Sequence, residues 1–213
     1  MLKNKILVVL MLFLMSVALY FLGVLYPNSI IKYKFLGLLL LFITLFSIFL
    51  SLILRNIFNK INQSYQNSEF NRCIKLSRLY TTFNSGKRNK QRNYVNVILS
   101  ACYLTLGDNK NFIKSIQNIT DAEYYLSKRI WMIFYYLSID DYDTACKEIN
   151  IAEKVSSVDK EQYIKSILVA KIILEIHHEN YNVARQMVEE NDFSIKNPLI
   201  LELFNKALNK LKQ

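Results

Sequence analysis

Two long uncharged runs dominate the first quarter of the chain: no residue from Ile6 to Tyr26 carries a charge, and none from Phe35 to Leu54. A helix of about 20 residues spans roughly 30 Å, the thickness of a bilayer's hydrocarbon core. One Lys or Asp at the centre of such a span costs about 2.5–3.5 kcal/mol on insertion scales, so runs this clean predict a transmembrane helical hairpin over residues 1–55. Pro27 and Asn28 punctuate the connection. A rival reading makes the first run a secretory signal, with Lys3 and Lys5 as its basic end and Ser16-Val17-Ala18 as a cleavage site. The apolar run continues past Ala18 to Tyr26 and a second follows, which a removed peptide does not need.

After Arg55 the pattern takes on a helical period. Arg92–Asp108, Tyr125–Asp141 and Lys160–Asn180 are each long enough for a helix, and each ends in a polar break at Gly107-Asp108, Asp140-Asp141 or Glu179-Asn180. A shorter amphipathic segment follows each break. Alternation of apolar and polar positions is absent, and Gly and Pro together number six, so the chain reads as all-α. Phe70, Asn109, Tyr142 and Tyr181 align, three residues before Cys73, Phe112, Ala145 and Ala184, at separations of 39, 33 and 39 residues. Periods in the thirties built from two helices signal an α-solenoid. The unit around Cys73 shows no leading helix of its own. Residues 56–92 read as a basic juxtamembrane helix and linker, and 93–213 as the repeat domain. Asn197 as N-cap and Pro198 in the first turn open a last helix, which reads as a cap closing the stack.

Leu99-Ser100-Ala101-Cys102-Tyr103, followed by Gly107-Asp108, resembles the first helix of a tetratricopeptide repeat. Ala145, Ile149 and Ala152 resemble its second helix, with Tyr136 at the family's position on the first. Phe112, Ile133 and Asn191 depart from the small residues of that pattern. The resemblance implies protein–protein scaffolding, with a partner held on a concave face lined by first helices. Here that face draws on Tyr94, Val97, Ala101, Ser127, Ile130, Trp131 and Phe134. Trp131, Phe134, Tyr135 and Tyr136 also fit an aromatic core cluster.

The formal charge of +10 is confined to the region nearest the apolar runs. Arg55, Lys60, Arg72, Lys75, Arg78, Lys87, Arg88, Lys90 and Arg92 face one acid, Glu69, whereas Asn93 onward carries 14 basic and 16 acidic residues. That placement suits anionic lipid headgroups, each basic residue adding on the order of 1 kcal/mol near the surface. No nucleic-acid motif accompanies it. By the Lys/Arg bias both termini belong in the cytoplasm, against Lys32 and Lys34 in the turn, and the Asn, Ile and Lys content suits a bacterial plasma membrane.

Chemistry is sparse. Cys73, Cys102 and Cys146 have no metal-ligand spacing and read as buried small hydrophobes. His177 and His178 are adjacent, about 100° apart on a helix, and cannot chelate as an i, i+4 pair does. Asp140-Asp141-x-Asp143 lacks the Gly and closing Glu of a calcium loop. No phosphate loop, nucleophile elbow or zinc motif occurs. The expectation is therefore a non-enzymatic membrane adaptor without cofactor, of unknown oligomeric state, that recruits or regulates a partner protein. The alternative is an accessory or immunity protein acting through its hairpin on another membrane protein or against a membrane-active toxin. Small residues Ser16, Ala18 and Gly23, or Gly37, Ser47 and Ser51, suit such helix contacts.

Overall fold

The computed structural model describes residues 31–84, 90–155 and 160–212, all helix and connection with no strand among them. The first apolar run, the Pro27-Asn28 turn, Lys87 and Arg88 lie outside the described residues. Two compact units divide at Asn59/Lys60.

In the first unit runs most of α1, Ile31–Gln66. Among the described residues one helix, Gly37–Gln66, is long and apolar enough to cross a membrane. Its apolar side chains stand in the open: Phe42 is 66% and Phe49 62% exposed. Thr44, by contrast, is buried and returns its hydroxyl to the Leu40 and Leu41 carbonyls at 3.0 and 2.8 Å.

The second unit continues with α2 (Phe70–Phe83), α3 (Lys90–Thr105), α4 (Asn109–Gln117), α5 (Tyr125–Ser138), α6 (Tyr142–Lys154), α7 (Lys160–His177), α8 (Tyr181–Glu189) and α9 (Pro198–Leu211). Helices α3, α5 and α7 pack in a row, and each also packs on the shorter helix that follows it. The four residues aligned in the sequence, Phe70, Asn109, Tyr142 and Tyr181, are each the first residue of a second helix.

Four helix–helix turns among the described residues share one geometry. Ser68, Gly107, Asp140 and Glu179 adopt φ of +59, +71, +57 and +63°. The next amide donates five residues back, as Asp108 N does to Tyr103 O and Asp141 N to Tyr136 O, both at 2.9 Å. These are left-handed caps that satisfy the last helical carbonyls. Asp108 and Asp141 then cap the following helix, accepting from Asn111 N and Thr144 N at 3.1 Å. The segment around Cys73 shares the motif at Ser68, so a helix does precede it: the last turns of α1, with Ile61 wholly buried.

Packing follows the small–large alternation. Ala145, Ile149 and Ala152 form the buried stripe of α6, which packs on α5. Alanines there let two helices approach to about 8–10 Å. Arg129 on α5 donates twice to the Glu148 carboxylate on α6, at 2.8 and 2.7 Å, and once to the Tyr125 hydroxyl at 2.6 Å. Burial works against the Arg129 charge, but Glu148 and Tyr125 outweigh it and hold the guanidinium above its ordinary pKa.

The last helix, expected as a cap, reaches beyond the final helix pair. It packs on α3, α5, α7 and α8. The 190–197 segment, free of regular structure, carries it there: Lys165 Nζ of α7 donates to the Asp192 carbonyl at 3.1 Å, and Asn197 Nδ2 reaches Thr105 Oγ1, at the end of α3, at 3.2 Å. Eight extended residues span up to about 26 Å, enough for two interhelical steps of 8–10 Å. Asn197 caps the Ile200 amide at 3.2 Å, and Ile200, Phe204 and Ala207 turn inward as a buried stripe.

Candidate partner-binding face

Helices α3, α5 and α7 present a common face, and the chain's own C-terminal segment divides it. Toward their C-terminal ends the face is roofed. Leu203, Lys206, Ala207 and Lys210 of α9 line one cleft with Leu137 of α5 and Ile173, Ile176 and His177 of α7. At the edge of this cleft the His177 ring stacks on Tyr142, centroids 3.6 Å apart and 11° from parallel. Burial, then the hydrogen bond to Asp140, pushes the Tyr142 hydroxyl up to about 12.

Toward their N-terminal ends the face stays partly open, and tyrosines occupy it. Tyr94 of α3 lies 6.3 Å, ring to ring, from Tyr124, which sits in a single 3-10 turn (Ala122–Tyr124) leading into α5. Ser127 of α5 and Tyr163 of α7 bring their hydroxyl oxygens to 2.5 Å. Tyr94, Tyr124 and Tyr163 are each half-buried, as is Trp131. Trp131 stands one helical turn beyond Ser127, on the same side of α5. Burial, then Glu123 and Asp121, raises Tyr124 to about 12. Burial, then Arg129, lowers the Lys128 amine beside it. Lys90 is ion-paired with Glu123 at the rim. The row is therefore hydroxyls and rings flanked by charges of both signs.

The anticipated face residues are split between partly exposed and buried. Tyr94, Val97 and Trp131 are partly exposed, whereas Ala101, Ser127, Ile130 and Phe134 are buried within the folded unit. The aromatic cluster splits too: Phe134 is core, and Tyr135 stacks on Phe112 of α4 at 5.0 Å. Tyr124 and Tyr163 were absent from the expected set. An aromatic at the mouth of each first helix, at Tyr94, Tyr124 and Tyr163, was the available signal.

The basic residues also sort themselves. Arg55, Lys60 and Lys75 are exposed, Arg92 half-buried. Arg72 is bound to Glu69 at 2.9 Å. Arg78 Nε donates to the Tyr103 hydroxyl at 2.7 Å with its guanidinium 5.5 Å above that ring. Cys73 and Cys102 are buried free thiols, and Cys146 is half-buried. Among the described residues no group of His, Cys, Asp and Glu is arranged to hold a metal ion.

Scans against protein-family models, curated proteins and solved structures returned no match to this chain.

Proposed function

We propose that this chain is a membrane-anchored adaptor with a tetratricopeptide-like helical unit that holds a partner protein on the face of α3, α5 and α7. In this reading the two apolar runs cross a bacterial plasma membrane as a hairpin, and both termini lie in the cytoplasm. The observation that carries it is the half-open row of Tyr94, Tyr124, Trp131 and Tyr163. Tyr and Trp dominate binding hot spots because they combine large apolar area with a polar tip. The recurrence of one turn geometry at 39, 33 and 39 residues supports the repeat reading. A chain that carries both a membrane-length helix and such a face is suited to recruitment.

The test is co-purification of the intact chain from native membranes in mild detergent, beside a Tyr94→Ala/Trp131→Ala variant checked for native helix content. A stoichiometric partner lost from the variant supports the reading. The same partner retained in full sinks it.

One observation favours a second reading, in which the hairpin itself acts on another membrane protein. Ser47 and Ser51, one helical turn apart on α1, are exposed among large apolar neighbours. Small residues so placed let membrane helices approach closely. Exchanging the apolar runs for unrelated spans separates the two: the adaptor keeps its partner, the lateral binder loses it.

A further inference from the structure

The outer surface of α2 exposes large apolar residues, as α6 does at Ile151 and α8 at Tyr181 and Val183, and here they line up with basic residues. Its inner face, Cys73, Ile74, Ser77 and Tyr80, is buried against the stack. On the opposite face Arg72, Lys75, Leu79 and Phe83 follow one another at helical spacing and are all exposed. Leu79 is 45% and Phe83 57% exposed. The corresponding helix α4 exposes only Asn109, Lys110, Lys114 and Gln117. A merely solvated face has no use for a leucine and a phenylalanine one turn apart.

We propose that this face is a bilayer-docking surface, with Arg72 and Lys75 on anionic headgroups and Leu79 and Phe83 inserted among the upper acyl carbons. The inference rests on the reading that α1 spans the membrane. Three observations select this occupant. The helix begins four residues after α1 ends, so the chain tethers it to any membrane that α1 crosses. Nine basic residues and one acid lie between Arg55 and Arg92, a local charge that anionic lipid complements. Arg72 is tied only to Glu69 in an exposed ion pair, which exchanges readily for phosphate, while Arg78 and Lys90 are committed to Tyr103 and Glu123. Basic residues beside large apolar ones on a single helix face are the composition of interfacial helices, which bury that face about 5–10 Å into the headgroup boundary.

The experiment uses the intact chain in nanodiscs made with dibrominated phosphatidylcholine, with and without phosphatidylglycerol. Trp131→Phe removes the one native tryptophan and Phe83→Trp places a new one on the face; circular dichroism confirms helix content. The expected result is strong bromine quenching of this tryptophan in the phosphatidylglycerol discs, weak quenching without it, and loss on adding Arg72→Glu and Lys75→Glu. A chain that incorporates into discs but whose tryptophan is unquenched overturns the docking and leaves the spanning reading intact. Equal quenching with and without phosphatidylglycerol overturns the anionic requirement. Blue-shifted but unquenched emission overturns the docking in favour of contact between proteins. A chain that fails to enter discs overturns the spanning reading and the docking with it.

Discussion

The four hairpin turns share one left-handed position but not one residue type, and this allows a prediction with opposite signs at two sites. Glu179 holds φ +63° with an exposed side chain, and Gly107 holds φ +71°. A Cβ in the left-handed region costs about 1–2 kcal/mol. Glycine gives part of that back through its freedom in the unfolded chain, about 0.4–1 kcal/mol. Glu179→Gly therefore stabilises by about 0.5–1 kcal/mol. An added Cβ at Gly107 meets no heavy atom within 4 Å, so Gly107→Ala carries no clash and its cost is backbone strain alone. The net is a loss of about 0.5–1 kcal/mol. Domains of 150–250 residues shift by roughly 2–4 °C per kcal/mol, so the expected changes in Tm are about 1–4 °C up and 1–4 °C down. The assay is thermal unfolding in detergent followed by the emission of Trp131. It is the chain's one tryptophan and belongs to the helical unit, so it does not report on α1. Glu179→Ala is the control, since it removes the charge and keeps the Cβ. If it stabilises as much as Glu179→Gly, or if Gly107→Ala melts higher than the parent, the backbone explanation is wrong.

Removing either partner of Arg129–Glu148 leaves a charge with 25% and 13% side-chain exposure unpaired. The cost is about 1–3 kcal/mol for Arg129→Met or Glu148→Gln, with most of it shared in a double-mutant cycle measured by chemical denaturation. Asp108 is held below the usual carboxylate range by the Asn111 side chain first and its backbone amide second. Its folded value being depressed, it stabilises above the unfolded carboxylate range, near pH 4, and that contribution is lost as pH falls through the lowered folded value. Asp108→Asn should flatten the dependence of Tm on pH below about 4 without changing the dependence near neutrality. Phe204 is 5% exposed in the stripe of α9, so Phe204→Ala costs about 3–5 kcal/mol or frees the helix locally. Limited proteolysis distinguishes these outcomes: a local release shows as faster cleavage within 190–197 while the Trp131 emission stays native.

How legible this fold is in its sequence depends on what a residue pattern can encode. The hairpin turns were legible because a polar break before an aromatic or Asn has a local mechanism, a left-handed cap followed by a capping side chain. Asp108, Asp141 and Asn197 all act as their positions predict. The leading helix before Cys73 was hidden because it is the end of α1, whose hydrophobic run obscures any amphipathic period. The apolar stripe of α9 was also legible, but its destination was not. Amphipathicity states which side of a helix is buried and is silent about what buries it, and Glu190–Lys196 carries no period that announces a strap. Tyr124 escaped because it lies in a 3-10 turn, outside the helical repeat that located Tyr94.

The reach of α9 has a consequence during biosynthesis. Asn197 bonds Thr105 across 92 residues, so the roof over the first helices is the last part of the unit to be made. At ~5–20 residues per second, about 5–20 s pass between translation of Thr105 and of Asn197. During that interval the C-terminal ends of α3 and α5 stand uncovered on the nascent chain, their apolar residues accessible to chaperones. Synthesis of the α9 segment is the event that first closes them.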